Sequence, residues 1–207
     1  MTRCTDLLLI GMAGRAGTGK DTAGDYLCAR YGFERASFAQ AIKIMLEAKF
    51  AHVGIDHAYL YEPALKNVPI PGLGVSARRL MQTLGTEWGR NIIGGQLWVD
   101  LLDLHLGIRA GMPVHDRLVV TDVRFPNEAA WVHASGGKIV HLARTQTPHL
   151  RDGHESEAWA DQLPADVRLV NDGPTVASLH QMLDALMASL GAEERPPLHA
   201  DPTQAYA

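Results

Sequence analysis

Cysteine is scarce in this chain. Only Cys4 and Cys28 occur among 207 residues, and neither sits at a metal-ligand spacing, so a cysteine metal centre is excluded. Cys28 falls in a helical stretch as a small apolar filler. Long apolar runs are missing as well. None approaches membrane-spanning length, and Leu7–Ile10 is too short for the core of a signal peptide, so a cytoplasmic location is expected. Positive charge is not in excess: 19 Lys and Arg stand against 23 Asp and Glu, a net charge of −4. That argues against a generally basic nucleic-acid binder and leaves a local basic groove open. Ten histidines are scattered without forming a ligand cluster, and no internal repeat is visible. With 46% hydrophobic and 20% charged residues, the composition is that of a soluble globular enzyme of one domain.

The stretch LLLIGMAGRAGTGKDTAGDYL, from Leu7 to Leu27, organises the rest. An apolar strand breaks into a glycine-rich turn, and Lys20 opens a helix. The spacing G-x-x-x-x-G-K from Gly14 through Gly19 to Lys20 is the phosphate-loop pattern in its expected strand–turn–helix context. Glycines allow the tight turn that aims successive N–H groups inward, so backbone donors and the helix N-terminus hold a di- or triphosphate. Gly14, Arg15, Ala16, Gly17, Thr18, Gly19, Lys20, Asp21 and Thr22 are the expected nucleotide-binding residues, with Lys20 following the β- and γ-phosphates. The Ser or Thr that usually follows the lysine is replaced by Asp21, with Thr22 next. A carboxylate there suits Mg²⁺, which prefers oxygen ligands. The bland alternative is a glycine-rich βα turn with an accidental lysine.

The pattern of the chain predicts alternating strands and helices. Strands are expected over 7–10, 33–38, 117–121, 138–143 and 167–170. Helices are expected from Lys20 to Arg30, over 39–50, 76–90, 96–110, 127–135 and 175–190, with a short one over 155–162. The fold class is therefore α/β: a five-stranded parallel sheet with helices on both faces. Residues 53–75 lose periodicity among Gly54, Pro63, Pro69, Pro71, Gly72 and Gly74 and read as a long irregular crossing of the functional or mobile kind. Residues 192–207 are rich in proline and poor in apolar content, and read as a disordered tail beyond a 1–191 domain. Ligands of such sheets bind beyond the carboxyl ends of the strands, which directs 14–22, 37–43, 122–128 and 144 onward to one edge.

Three further stretches carry candidate chemistry. In SARRLMQTLGTEWGR, helical spacing groups Ala77, Leu80, Leu84 and Trp88 on one face and Arg79, Thr83, Thr86 and Arg90 on another. Either the polar face is solvated, or its arginines grip a phosphate; Gly85 in mid-helix marks a close approach. In VVTDVRFPNEA, Asp122 at a strand end is placed to orient Mg²⁺ or a water, with Arg124 two residues on. The competing reading has Asp122 capping the turn and Arg124 paired with Glu128. In HLARTQTPHLRDGHESEAW, Arg144 and Arg151 suit a mobile cationic flap over the phosphates, and His149 and His154 are a weak metal signal.

Together GxxGxGKDT, SFAxxxK (Ser37–Lys43), RRLMQTLGTEWGR and TDVRFPNEA resemble the phage-type deoxynucleoside monophosphate kinases, a P-loop family of the nucleoside monophosphate kinase fold. HESE at His154–Glu157 and LVNDGP at Leu169–Pro174 extend the resemblance to the final helix. It implies an ATP- and Mg²⁺-dependent phosphotransferase with a substrate-binding helical insertion over about 53–110 and a lid over about 144–162. It further implies that the ATP γ-phosphoryl passes to a deoxynucleoside monophosphate, giving the diphosphate and ADP. Catalytic roles then fall to Lys20, Arg124, Arg144 and Arg151, and metal roles to Asp21 and Asp122. The acceptor would meet Ser37, Phe38, Lys43, Arg79, Gln82, Thr83, Glu87, Trp88 and Arg124. No strong base is required, since phosphoryl transfer is mostly positioning and charge stabilisation. A homodimer is an open expectation, because helix-rich faces in this fold often pair. Two other readings stand beside this one: a kinase of the same fold acting on a hydroxymethylated pyrimidine in DNA, and a nucleotide-binding regulatory switch.

Overall fold

A computed structural model describes residues 7–108, 111, 115–145, 159 and 162–197. The chain divides into two compact units, one built from the segments up to Ser37 and from Asp103 onward, the other from Phe38–Leu102.

The first unit holds a five-stranded sheet of β1 (Leu8–Ala13), β2 (Glu34–Ala36), β3 (Arg117–Val123), β4 (Lys138–Ala143) and β5 (Val167–Val170). The strand order is β2-β3-β1-β4-β5, and every pair is parallel. In β1, Ile10 and Met12 are fully buried, as are Leu9 and Ala13, so both faces are covered and the strand reads as continuous apolar sequence. On one face α1 (Lys20–Tyr31) and α7 (Val176–Ser189) pack Leu27, Leu183, Leu186 and Met187 against Ile10, Met12, Val140 and Leu142. On the other lies α6 (Pro126–Ala134): a Cβ added at Gly11 would lie 3.1 Å from its Val132 side chain. Gly32 closes α1 in the left-handed region, its N–H donating to Leu27 O. Thr175 caps α7, its hydroxyl accepting from Ser178 N. Because all strands run the same way, the carboxyl ends of β1 to β4 share one edge.

Residues 192–197, which the sequence assigns to the tail, run along this unit. Arg195 N donates to Arg30 O at 3.0 Å, the Arg195 guanidinium pairs with Asp116 at 2.5 Å, and Arg117 donates to Glu193 O at 2.7 Å. Ala192 also packs against the apolar cluster of this unit. Residues 198–207 lie outside the described residues.

The second unit contains α2 (Gln40–Val53), α3 (Ala58–Tyr61), α4 (Ala77–Gln82) and a π-helix over Thr83–Ile93. The short first part of α5 (Leu97–Leu106) also belongs to it. The expected irregular crossing over 53–75 contains α3 and carries its own anchors: Leu60 and Ile70 are buried with Phe50 and Ala77 in one cluster. No helix among the described residues is long and apolar enough to cross a membrane.

Candidate active site

The turn from β1 to α1 is fixed by its glycines. Gly14, Gly17 and Gly19 have φ of 126°, 79° and 104°, where a Cβ is strained. Gly14 is excluded from substitution twice over, since its Cβ would lie 2.1 Å from the Leu142 carbonyl oxygen. Lys20 is 8% exposed and folds back over the loop, its Nζ donating to Gly14 O at 2.7 Å and Arg15 O at 2.6 Å. Thr18 Oγ1 donates to Arg15 O at 2.9 Å. No side chain caps the N-terminus of α1, whose cap residue is Gly19. The first N–H groups of a helix carry partial positive charge and lack intrahelical partners, which suits them to a phosphate.

Asn171, just past β5, latches the loop from the side. Its Nδ2 donates to Thr18 O at 2.9 Å and its backbone N to Ala143 O at 2.8 Å. A Cβ at Gly19 would come within 2.8 Å of that amide nitrogen. Beside it Asp172 accepts from Thr145 N at 2.7 Å and from the Thr145 hydroxyl. These two bonds hold its carboxyl below the ordinary carboxylate range. Spacing alone does not single out Asn171; its place in the LVNDGP stretch at the end of a strand is the signal the sequence offers.

At the end of β3, Asp122 Oδ2 accepts from Ser37 Oγ at 2.7 Å, so an expected metal residue and an expected acceptor residue meet. Asp21 is ion-paired with Arg35, which also donates to Asp25 Oδ1 at 2.7 Å. Glu128 is buried and its Oε2 accepts the backbone N–H of Arg124 (2.7 Å) and of Phe125 (3.0 Å). It thereby caps its own helix, which starts with Pro126. Among the described residues no group of three His, Cys, Asp or Glu could hold a metal ion. A single strand-end carboxylate beside a phosphate loop fits Mg²⁺ delivered with a nucleotide, because that ion keeps waters and phosphate oxygens as its other ligands. The Cys28 thiol is pushed up to about 12 by burial, which leaves it inert as a nucleophile. Arg144 is exposed just beyond β4. Arg151, His149, His154 and nearly all of the expected lid and of its short helix lie outside the described residues.

In the second unit, Ser76 accepts from Arg79 N and opens the helix as expected, but from Thr83 the backbone widens to π geometry. Trp98 packs closely against this stretch. A Cβ on Gly89 would lie 2.3 to 2.6 Å from three atoms of the Trp98 ring, and the indole N–H donates to Gly85 O at 2.8 Å. The carbonyl is thus engaged by a side chain. The buried residues of the helix are Ala77, Gly85 and Gly89, whereas Trp88 is 38% exposed. Of the face expected through Ala77, Leu80, Leu84 and Trp88, Ala77 is buried, Leu80 packs against its cluster and Leu84 is half-buried, while Trp88 is corrected to an exposed position. The mid-helix close approach at Gly85 is present, with Ile42 Cδ1 at 3.0 Å from its Cβ position. Arg79 reaches Glu87 at 3.1 Å, and Thr83 Oγ1 donates to Arg79 O at 2.9 Å. Lys43 Nζ lies 5.3 Å from the centre of the Tyr61 ring. Gln82 is half-buried on the same helix, and Phe38 is buried. Gly89 and Trp98 are the residues that reasoning from spacing misses.

A phosphate loop closing on an uncapped helix at the carboxyl edge of a parallel sheet, with a carboxylate at the next strand end, is the geometry of a P-loop nucleotide site. A family model described as deoxynucleotide monophosphate kinase matches residues 73–183. The chain is 31% identical over 175 residues to a relative from Acanthamoeba polyphaga mimivirus, covering 80% of this chain and 89% of that one. It is 32% identical over 142 residues to the deoxynucleotide monophosphate kinase of Escherichia phage RB69, covering 69% of this chain and 56% of the phage protein. A solved shikimate kinase from Bacteroides thetaiotaomicron aligns over 89% of this chain and 98% of its own, at 14% identity and a TM-score of 0.48. The chain belongs to the deoxynucleotide monophosphate kinase family, and is an enzyme of the nucleoside monophosphate kinase class.

Proposed function

We propose that the protein transfers the γ-phosphoryl group of ATP to a deoxynucleoside 5′-monophosphate, releasing ADP and the deoxynucleoside diphosphate. One observation carries this reading. The family match over 73–183 begins after the phosphate loop, so it rests on the stretches read as acceptor and phosphoryl sites and not on a loop common to many nucleotide-binding proteins.

In this reading Gly14–Thr22 holds the ATP phosphates through backbone N–H groups. Lys20 exchanges its two carbonyl partners for phosphate oxygens and stabilises the transferring group. Mg²⁺, when bound with the nucleotide, neutralises charge between the β- and γ-phosphates; Asp122, together with one member of the Asp21–Thr22 pair, would hold it. Arg124, Arg144 and Arg151 act as cations on the phosphoryl in flight. Lys43 and Arg79 take the acceptor phosphate, and Ser37, Phe38, Gln82, Thr83, Glu87 and Trp88 surround the deoxynucleoside. Arg79 first has to leave Glu87, an exposed pair and therefore a weak one.

The test is ADP release from Mg·ATP with each of the four standard deoxynucleoside monophosphates and, in parallel, with a duplex containing hydroxymethyluracil. Turnover dependent on a monophosphate is the expected outcome and gives the base preference at once. Turnover with the duplex alone, or none with any acceptor, overturns it.

A further inference from the structure

Arg35, on the edge strand β2, bridges two carboxylates one turn apart on α1, reaching Asp21 with Nη2 and Asp25 with Nη1. Asp21 follows Lys20 in the first turn of the helix that closes the phosphate loop. Side chains in a helix tilt toward its N-terminus, so an unheld carboxylate at this position leans toward the N–H groups offered to phosphate. Packing does not restrain it, since the Asp21 side chain is 83% exposed; that of Arg35 is only 25% exposed. The guanidinium passes Gly24, where an added Cβ would lie 3.9 Å from Arg35 Nε and 2.6 Å from the Thr121 methyl. The arginine thus lies beside a position where α1 carries no side chain. Two residues on, Ser37 donates to Asp122, so one short edge segment restrains both acidic residues near the loop.

We infer that Arg35 is a positioning residue for the nucleotide phosphates: it holds the Asp21 carboxylate back along α1 and offsets its charge. The loop then presents Lys20 and its N–H groups without a competing anion, and Asp21 stands outside the metal's ligand set. The inference rests on the nucleotide reading given above. Removing Arg35 would leave two carboxylates without its charge, Asp21 on the turn that faces the phosphates and Asp25 one turn behind it. Charges a few ångströms apart near a surface interact by enough to change affinity about tenfold.

Calorimetric titration of the full chain with ADP, in chelator and again with Mg²⁺, tests this without turnover. In chelator no metal is present, and Asp21 can only repel the phosphates. Arg35→Ala is expected to weaken ADP about tenfold, and Asp21→Asn in that background to restore most of the loss. The deficit should shrink severalfold between about 50 and about 500 mM salt, which a purely structural role would not do. Arg35→Lys, which keeps the charge and loses the fork, should fall between. Arg35→Gln, which keeps most of the side-chain volume and serves if Arg35→Ala folds poorly, should weaken ADP in chelator to a similar extent. Unchanged ADP affinity in Arg35→Ala overturns the assignment. So does failure of Asp21→Asn to restore it, or a loss specific to Mg·ADP in Asp21→Asn, which would make Asp21 a metal ligand. An unmodified chain that binds neither ADP nor ATP overturns the nucleotide reading itself.

Discussion

The phosphate loop and the π-helix over Thr83–Ile93 both depend on glycine, for different reasons. In the loop, Gly14, Gly17 and Gly19 are required by positive φ and, at Gly14, by a backbone oxygen. In the π-helix, Gly89 is required by the Trp98 ring, while Gly85 meets only the Ile42 terminal methyl, at 3.0 Å. The loop is therefore specified by its own few residues. The helix packs against a tryptophan nine positions beyond Gly89, whose ring and indole N–H meet it at two glycines. A π-helix of this length is unusual, and such geometry is frequent at functional sites, which agrees with the acceptor role proposed for Arg79 to Trp88.

The contrast can be broken from either side. Lys20→Met should lower kcat by about a thousandfold, as expected when a charge on the developing transition state is removed; steady-state ADP release measures it, and a loss under about tenfold would take Lys20 out of the chemistry. Gly89→Ala should destabilise the fold by about 3 kcal/mol through overpacking against Trp98, read from urea unfolding. A loss under about 1 kcal/mol would mean that the ring moves aside and that the helix does not depend on it. Asn171→Asp keeps the shape of the latch and turns a donor into an oxygen facing Thr18 O, so ADP affinity should fall about tenfold by calorimetry. The smallest effect lies at Asp166. The Ile139 N–H at 2.7 Å and His133 at 2.9 Å hold its carboxyl below the ordinary range. A depressed carboxyl contributes stability above the unfolded value and loses it as pH falls through the folded one. Asp166→Asn should therefore flatten the acid decline in the urea midpoint below about pH 4, by less than about 1 kcal/mol for so exposed a pair.

What could be read from the residues follows the same division. Lys138–Ala143 and Val167–Val170 are strands with the expected limits because short apolar runs bounded by turn residues leave few alternatives. Ser76 is legible as a cap because its hydroxyl acts three residues away. The face of the helix that follows is legible only in part: Ala77 and Leu80 turn inward as an α-helical wheel groups them and Leu84 is half-buried, whereas Trp88 is exposed and Gly85 and Gly89 are buried. Arg35 and Asn171 escape for a related reason: a polar side chain acquires its role from partners that only the sheet brings near. The anchors Leu60 and Ile70 were hidden in the same way within a stretch punctuated by proline and glycine.

The obstacle at Gly14 is a carbonyl oxygen of β4, whereas the obstacles at Gly11 are the side chains of Ile139, Val123 and Val132. Side chains can be exchanged by a second mutation; a carbonyl is present whatever residue carries it. In a selection for revertants, a bulkier residue at Gly11 should be rescued by shrinking one of those three neighbours. A bulkier residue at Gly14 should revert only at its own codon. Descendants of this chain are thus free to drift around one glycine of β1 and its turn and are held by the other, three residues away.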